Sequence, residues 1–205
     1  MKTKTLNLFP ILTLLFSTTE TMAQEYKKVD EPKGLEIGTI APSFSGKDKN
    51  GNIVDSNAEL KKGPVVLIFY RGQWCPVCNR YLSNLQDSLQ PIIDKGAQVI
   101  AVSPEKPEYL GKTLVKTGAE FTLLYDEDYK ISKSYDVLFR PENSTLTIYN
   151  TLLGANLKNA QSDDSQQLPI PATFIIAQDG KIVWRQFNPD YKKRASVAEI
   201  LNNIP

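Results

Sequence analysis

Val65-Val66-Leu67-Ile68-Phe69-Tyr70 is the segment that most restricts how this chain can fold. Six apolar residues follow one another without polar alternation, and most are β-branched or aromatic. Such a run reads as a strand covered on both faces, as at the centre of a mixed or parallel sheet. A short loop holding Gly72 follows, then Cys75-Pro76-Val77-Cys78. From Val77 to Ile93 the apolar residues Val77, Tyr81, Leu82, Leu85, Leu89, Ile92 and Ile93 recur at helical spacing, and Gly96 closes the segment. A buried strand that feeds a helix needs further strands beside it and helices over its faces.

The rest of the chain supplies them. Val99-Ile100-Ala101-Val102 reads as a second buried strand, and Pro107 to Lys116 as a helix with proline in its first turn. Phe121 to Leu124 is a short strand and Tyr129 to Tyr135 a short helix. Between Val137 and Leu168 the pattern weakens, with one helix expected around Thr145 to Leu153 and a polar loop at Ser162-Asp163-Asp164-Ser165. Ala172 to Ala177 and Ile182 to Phe187 are strands joined by Gln178-Asp179-Gly180-Lys181, a hairpin signal. Ser196 to Asn203 closes the chain as a helix. Upstream, Lys49-Asn50-Gly51-Asn52 is a turn between two short strand-like runs, and residues 24–35 read as a loose, polar lead-in. The order predicts one α/β domain over residues 36–205: a central mixed sheet flanked by helices, with an N-terminal β extension.

Composition narrows the chemistry. The 205 residues include no histidine, which excludes Ser-His-Asp and Cys-His nucleophile pairs and every His-ligated metal site. The two cysteines lie three positions apart, too close to form a disulfide framework, and two ligands cannot close a zinc site. No metal or other cofactor is expected. Twenty-four basic residues against 23 acidic ones argue against a nucleic-acid or anionic-membrane partner.

Lys2 and Lys4 precede a short apolar run from Leu6 to Phe16, and Thr21-Met22-Ala23 offers small residues before Gln24. These features read as a signal peptide over residues 1–23 rather than a spanning helix, which needs about 20 apolar residues. The expectation is an exported chain, periplasmic or extracellular, with no stable membrane anchor after cleavage. In such a compartment disulfide traffic is ordinary chemistry.

The strand-to-helix crossing places Cys75 at the first turn of a helix, at the carboxyl edge of the sheet, where ligands bind in open α/β folds. Free N–H groups and the positive helix end favour a thiolate there. One sulfur of a Cys-x-x-Cys pair can attack while the other resolves the mixed disulfide. Pro76 suits the first helical position, and Trp74 offers a flat apolar surface beside the sulfur. Cys75, at the junction and open to solvent, is expected to attack; Cys78, one turn in and more buried, is expected to resolve.

Phe69-Tyr70-Arg71-Gly72-Gln73-Trp74-Cys75-Pro76-Val77-Cys78 resembles the active-site segment of peroxiredoxin-like proteins of the alkyl hydroperoxide reductase/thiol-specific antioxidant family. Gly38-Thr39-Ile40-Ala41-Pro42-Ser43-Phe44 resembles that family's opening motif. Leu168-Pro169-Ile170-Pro171-Ala172-Thr173-Phe174, with Asp179-Gly180, is similar to its second motif, and Asn188 to Arg194 to a tail seen in one subgroup. The resemblance implies a thioredoxin-like fold and thiol redox chemistry. Its usual Pro-x-x-x-Thr-x-x-Cys pattern aligns the proline with Arg71, the threonine with Cys75 and the peroxidatic cysteine with Cys78. The family's peroxide-binding arginine aligns with Pro171. These departures favour thiol–disulfide exchange with protein or small-molecule partners, with a cis Ile170–Pro171 bond facing the dithiol. Arg71 is a substitute for the missing arginine in the alternative reading, a thiol-dependent peroxidase acting on hydroperoxides. A binding module with incidental cysteines is a third reading. Leu67 and Ile68 occupy the stretch where thioredoxin carries a buried acid, which leaves the resolving thiol without a proton acceptor. The oligomeric state is not legible.

Overall fold

The structure is a computed structural model that describes residues 25–205; the expected signal segment lies outside them. Strands β1 (Ser45–Asp48) and β2 (Ile53–Asp55) come first, followed by helix α1 (Ser56–Leu60). The central run is β3 (Val65–Phe69), α2 (Pro76–Asp87), α3 (Leu89–Asp94), β4 (Gln98–Ser103), α4 (Pro107–Thr117), β5 (Thr122–Tyr125) and α5 (Lys130–Ser134). An excursion of β6 (Leu138–Phe139), α6 (Asn143–Thr151), α7 (Leu157–Ala160) and β7 (Leu168–Pro169) precedes β8 (Ala172–Ile176), β9 (Ile182–Phe187) and α8 (Val197–Asn203).

Seven strands form one mixed sheet in the order β2-β1-β5-β4-β3-β8-β9. β3 pairs in parallel with β4 and antiparallel with β8, so Ile68 lies opposite both Ala101 and Thr173. Every residue of β3 is buried, as its unbroken apolar run requires. Alternate side chains serve opposite layers. Val66 and Ile68 pack with Leu82, Leu85, Leu110 and Ile200, while Val65, Leu67 and Phe69 pack with Ile131, Tyr135 and Phe174. Fully burying each of these side chains is worth about 1.5–3 kcal/mol, so the double-sided core holds β3 and the loop beyond it firmly.

The structure departs from the sequence reading in several places. The helix expected from Val77 to Ile93 divides at Ser88 into α2 and α3. Pro91 is the cause: it lacks an N–H for the carbonyl of residue 87, and its ring would clash with that carbonyl. Tyr129 is left-handed, with φ 58°, so the short helix begins at Lys130. The two-residue strands β6 and β7 pair with each other, too short to leave a periodic trace. The segment expected as a loose lead-in packs along the domain: Arg140 N donates to Lys27 O and Gly34 N to Asp136 O. Finally, no cis peptide bond occurs among the described residues, so Ile170–Pro171 is trans. Pro171 directly precedes β8, a position where a trans proline removes no ladder hydrogen bond.

Candidate active site

Cys75 is the N-cap of α2 and Pro76 its first residue, so the turn is formed as its sequence suggests. The Cys75 sulfur accepts from the Cys78 backbone N–H at 3.3 Å, the capping bond that a helix start requires. The loop before it is pinned from several sides. Lys116 Nζ, from α4, donates to the Gln73 carbonyl and to Gln73 Oε1, and Asn79 Nδ2 donates to the same carbonyl.

The two sulfurs are unbridged, lie 2.6 Å apart and share a hydrogen bond. Each also meets a guanidinium. Arg71 Nη2 donates to Cys75 Sγ at 3.2 Å, and Arg194 Nη2 donates to Cys78 Sγ at 3.4 Å. Arg71 is 4% exposed and held among aromatic rings, with its guanidinium carbon 3.9 Å from the Tyr191 ring centre and 5.3 Å from that of Trp74. Its Nη1 donates to the Tyr149 hydroxyl. Trp74 therefore packs on Arg71 and, with ring centres 4.8 Å apart, on Tyr149.

Both cysteines are 0% exposed, which corrects the expectation that Cys75 meets solvent and Cys78 alone is buried. Distant parts of the chain contribute the cover: Tyr149 of α6 packs on Trp74 and Arg71, Tyr191 packs on Arg71, and Arg194 meets Cys78. A cavity of about 600 Å³ lies alongside, lined in part by Arg71, Phe139, Tyr149, Pro171, Pro189 and Tyr191. Arg71 is thus shared between cavity and dithiol, and the structure brings Pro171 to the same cavity although its peptide bond is trans.

The electrostatics divide the pair. Burial opposes ionisation of Cys78, but the hydrogen bond with Cys75 and the guanidiniums of Arg194 and Arg71 outweigh it and hold that thiol well below the usual range. The hydrogen bond with Cys78 and burial push the Cys75 thiol up. Two buried sulfurs this close cannot both ionise readily, so Cys78 is favoured as the thiolate and Cys75 as the thiol, with a guanidinium on each.

Sequence reasoning missed two groups here. Arg194 lay within the quoted tail, 116 positions from Cys78, without a role. Glu105 lies two residues beyond β4, fully buried, and its Oε2 accepts from the Gln73 N–H at 2.8 Å. The carboxyl edge shared by parallel β3 and β4 is the signal that could have drawn attention to it. Gly72 makes room for it. At φ 149° a Cβ there would lie 2.6 Å from Glu105 Oε1 and 2.7 Å from Trp74 Nε1. Gly72→Ala is therefore expected to cost about 1–3 kcal/mol through strain and overpacking. An unchanged urea midpoint in that variant would contradict this account.

Residues 37–185 match the model of the AhpC/TSA family. A Mycobacterium tuberculosis protein carrying a peroxiredoxin name is 30% identical over 170 residues, spanning 83% of this chain and 95% of its own. Peroxiredoxin Bcp of Bacillus subtilis is 27% identical over 172 residues, again 83% and 95%. The crystal structure of peroxidoxin BcpB from Mycobacterium tuberculosis superposes with a TM-score of 0.64 at 18% identity, covering 83% of this chain and 96% of that one. The central mixed sheet flanked by helices in this chain is the thioredoxin-like fold, and by both family match and relatives the chain is an oxidoreductase that belongs to the AhpC/TSA family.

Proposed function

We propose that the protein is a thiol-dependent peroxidase in which Cys78 attacks a hydroperoxide and Cys75 resolves the product. The observation that carries this reading is the Arg194 guanidinium on Cys78 Sγ. Cys78 aligns with the peroxidatic cysteine, and the position of the family's usual arginine is Pro171. Arg194 brings the missing charge from the C-terminal tail, and Arg71 adds a second cation at Cys75. The relatives' peroxiredoxin names support the same reading.

The Cys78 thiolate attacks one peroxide oxygen, the O–O bond breaks, and the departing alkoxide takes a proton to become an alcohol. Cys78 is then a sulfenic acid. The Cys75 sulfur displaces hydroxide from it, forming the Cys75–Cys78 disulfide and, with another proton, water. An external dithiol reopens the disulfide by exchange. The cavity beside Arg71 leaves room for an organic substituent on the hydroperoxide. The N-terminal features of residues 1–23 support export, so that the cycle runs outside the cytosol.

A second reading, in which disulfide exchange is the main activity and Cys75 attacks, is favoured by one observation. Cys75 Sγ is the helix N-cap and touches the arginine that lines the cavity. The trans Ile170–Pro171 bond removes one of its supports. Purified, reduced protein is expected to consume hydroperoxide in proportion to its dithiol, with the disulfide as product. Negligible consumption alongside rapid reduction of a model disulfide would favour the second reading.

A further inference from the structure

The peroxidase cycle leaves a proton unaccounted for. The reduced pair, one thiolate and one thiol, holds a single proton, yet the two departing oxygens need two. We infer that Glu105 stores the second proton, releasing it as the disulfide forms and recovering it when the disulfide is reduced. This rests on the pair cycling between dithiol and disulfide, which both readings above share, and not on which oxidant closes it.

Glu105 is placed and surrounded for that role. It is completely buried beneath the loop that leads to Cys75. One carboxyl oxygen is taken by the Gln73 N–H, while Oε1 is buried with no hydrogen-bond partner. No cation makes a salt bridge with it among the described residues. The Gly72 backbone above it has no side chain to displace it. A carboxylate left this way is costly, whereas a carboxylic acid is not. The groups that face it electrostatically come from each neighbouring element: Cys78 on α2, Lys112 and Lys116 on α4, and the Gln73 N–H in the loop. Tyr70, at the end of β3, is buried near both Glu105 and Cys78 and is pushed further from ionising by each.

The coupling has a definite sign. Burial first, and then the negative charge of Cys78, push the Glu105 carboxyl up to about 8, against the pull of the Gln73 N–H, Lys116 and Lys112. With Cys78 as thiolate the carboxyl therefore keeps its proton at neutral pH. When the disulfide forms, the Cys78 charge disappears and the two lysines remain. The carboxyl then ionises and gives up its proton. Thiolate, thiol and carboxylic acid plus ROOH thus become disulfide and carboxylate plus ROH and H₂O. An external dithiol delivers two electrons and two protons and restores the starting state. The site carries one negative charge before and after the cycle, on the sulfurs facing Arg71 and Arg194 in the reduced protein and on Glu105 facing Lys112 and Lys116 in the disulfide form.

The test needs no peroxide. The purified protein is equilibrated with dithiothreitol of known potential between about pH 6 and 7.5, below the reduced-state carboxyl titration. In the wild type, reduction takes up two protons, so the equilibrium constant for two-electron reduction changes about a hundredfold per pH unit, or about 59 mV. In Glu105→Gln it takes up one, and the change falls to about tenfold, or about 30 mV. Glu105→Asp, which keeps a carboxyl, is expected to retain the steeper dependence. A structural role would shift the potential without altering its slope. Equal slopes in wild type and Glu105→Gln would overturn the inference. So would a wild-type slope of one proton, which needs no variant to fold. Because hydroperoxide plays no part, a failed peroxidase assay and a failed proton count are separate results.

Discussion

Cys78→Ser is expected to reduce hydroperoxide consumption by on the order of 10³-fold or more, because it removes the nucleophile itself. Cys75→Ser is expected to behave differently. Its Cys78 thiolate still faces Arg194 and so still attacks peroxide once, but the sulfenic acid then has no partner sulfur within reach. A single rapid turnover should appear, followed by a stalled species that a sulfenic-acid reagent labels and mass spectrometry finds one oxygen heavier. The serine hydroxyl in that variant can still donate to the Cys78 sulfur, so the thiolate keeps a hydrogen bond on that side and the single turnover stays fast. The opposite assignment gives the opposite result. If Cys75 attacks, Cys78→Ser keeps the fast phase and traps partners as mixed disulfides, while Cys75→Ser is inert. The two variants together therefore decide which sulfur leads, whatever the physiological oxidant.

The parts of this site that were legible in the sequence are local ones. An unbroken apolar strand, a short loop and Cys-Pro-x-Cys at a helix start lie within fifteen residues, and sequence-adjacent patterns of that kind do not depend on the rest of the fold. Arg71 was accessible for the same reason. Pro91 was visible too, and its geometric consequence divides the expected helix at Ser88. The hairpin of β8 and β9 followed from Asp179-Gly180, where Gly180 takes φ 85°.

What escaped depends on long-range closure. The buried acid was sought on β3, at Leu67 and Ile68, because thioredoxin carries its acid there. In this chain those side chains fill the two core layers, and the acid comes from the end of the neighbouring parallel strand. Arg194 reaches Cys78 only because the tail after β9 folds back: Arg194 Nε donates to Tyr191 O, and Gln186 Nε2 donates to Lys193 O. Tyr149 and Tyr191, which pack on the arginine that meets Cys75, belong to an excursion and a tail with weak periodicity. The burial of a residue is a property of what covers it, and the covering segments lie far away in sequence.

The guanidiniums carry the second large expectation. A hydrogen bond to a charged group is worth about 1.5–3 kcal/mol, and one pKa unit corresponds to about 1.4 kcal/mol. Arg194→Met is therefore expected to disfavour the Cys78 thiolate and raise its titration. The sign follows from which form reacts. In wild type the guanidiniums of Arg194 and Arg71 help hold the Cys78 titration well below the usual thiol range, so the thiolate forms at lower pH than it does in the variant. In the variant the pH profile of the peroxide rate should move to higher pH, with a rate about 10–100-fold below wild type where both proteins hold Cys78 mainly as the thiol and a recovery as the pH rises. Arg194→Lys keeps the charge and should recover part of the loss. Arg71→Met removes the other cation and also empties the space among Trp74, Tyr149 and Tyr191, so it should lower stability as well. Arg71→Lys should not repair it, because an ammonium cannot lie flat against those rings while bonding Tyr149 and Cys75 together. Both guanidiniums act on one shared negative charge, so the double variant should not show the sum of the single shifts. With neither cation present, burial is opposed chiefly by the hydrogen bond with Cys75, and the Cys78 titration should lie above that of either single variant. Thiolate absorbance followed against pH in the wild type and these five variants checks each step. A titration in Arg194→Met that overlays the wild type would show that the tail arginine does not set the charge on Cys78.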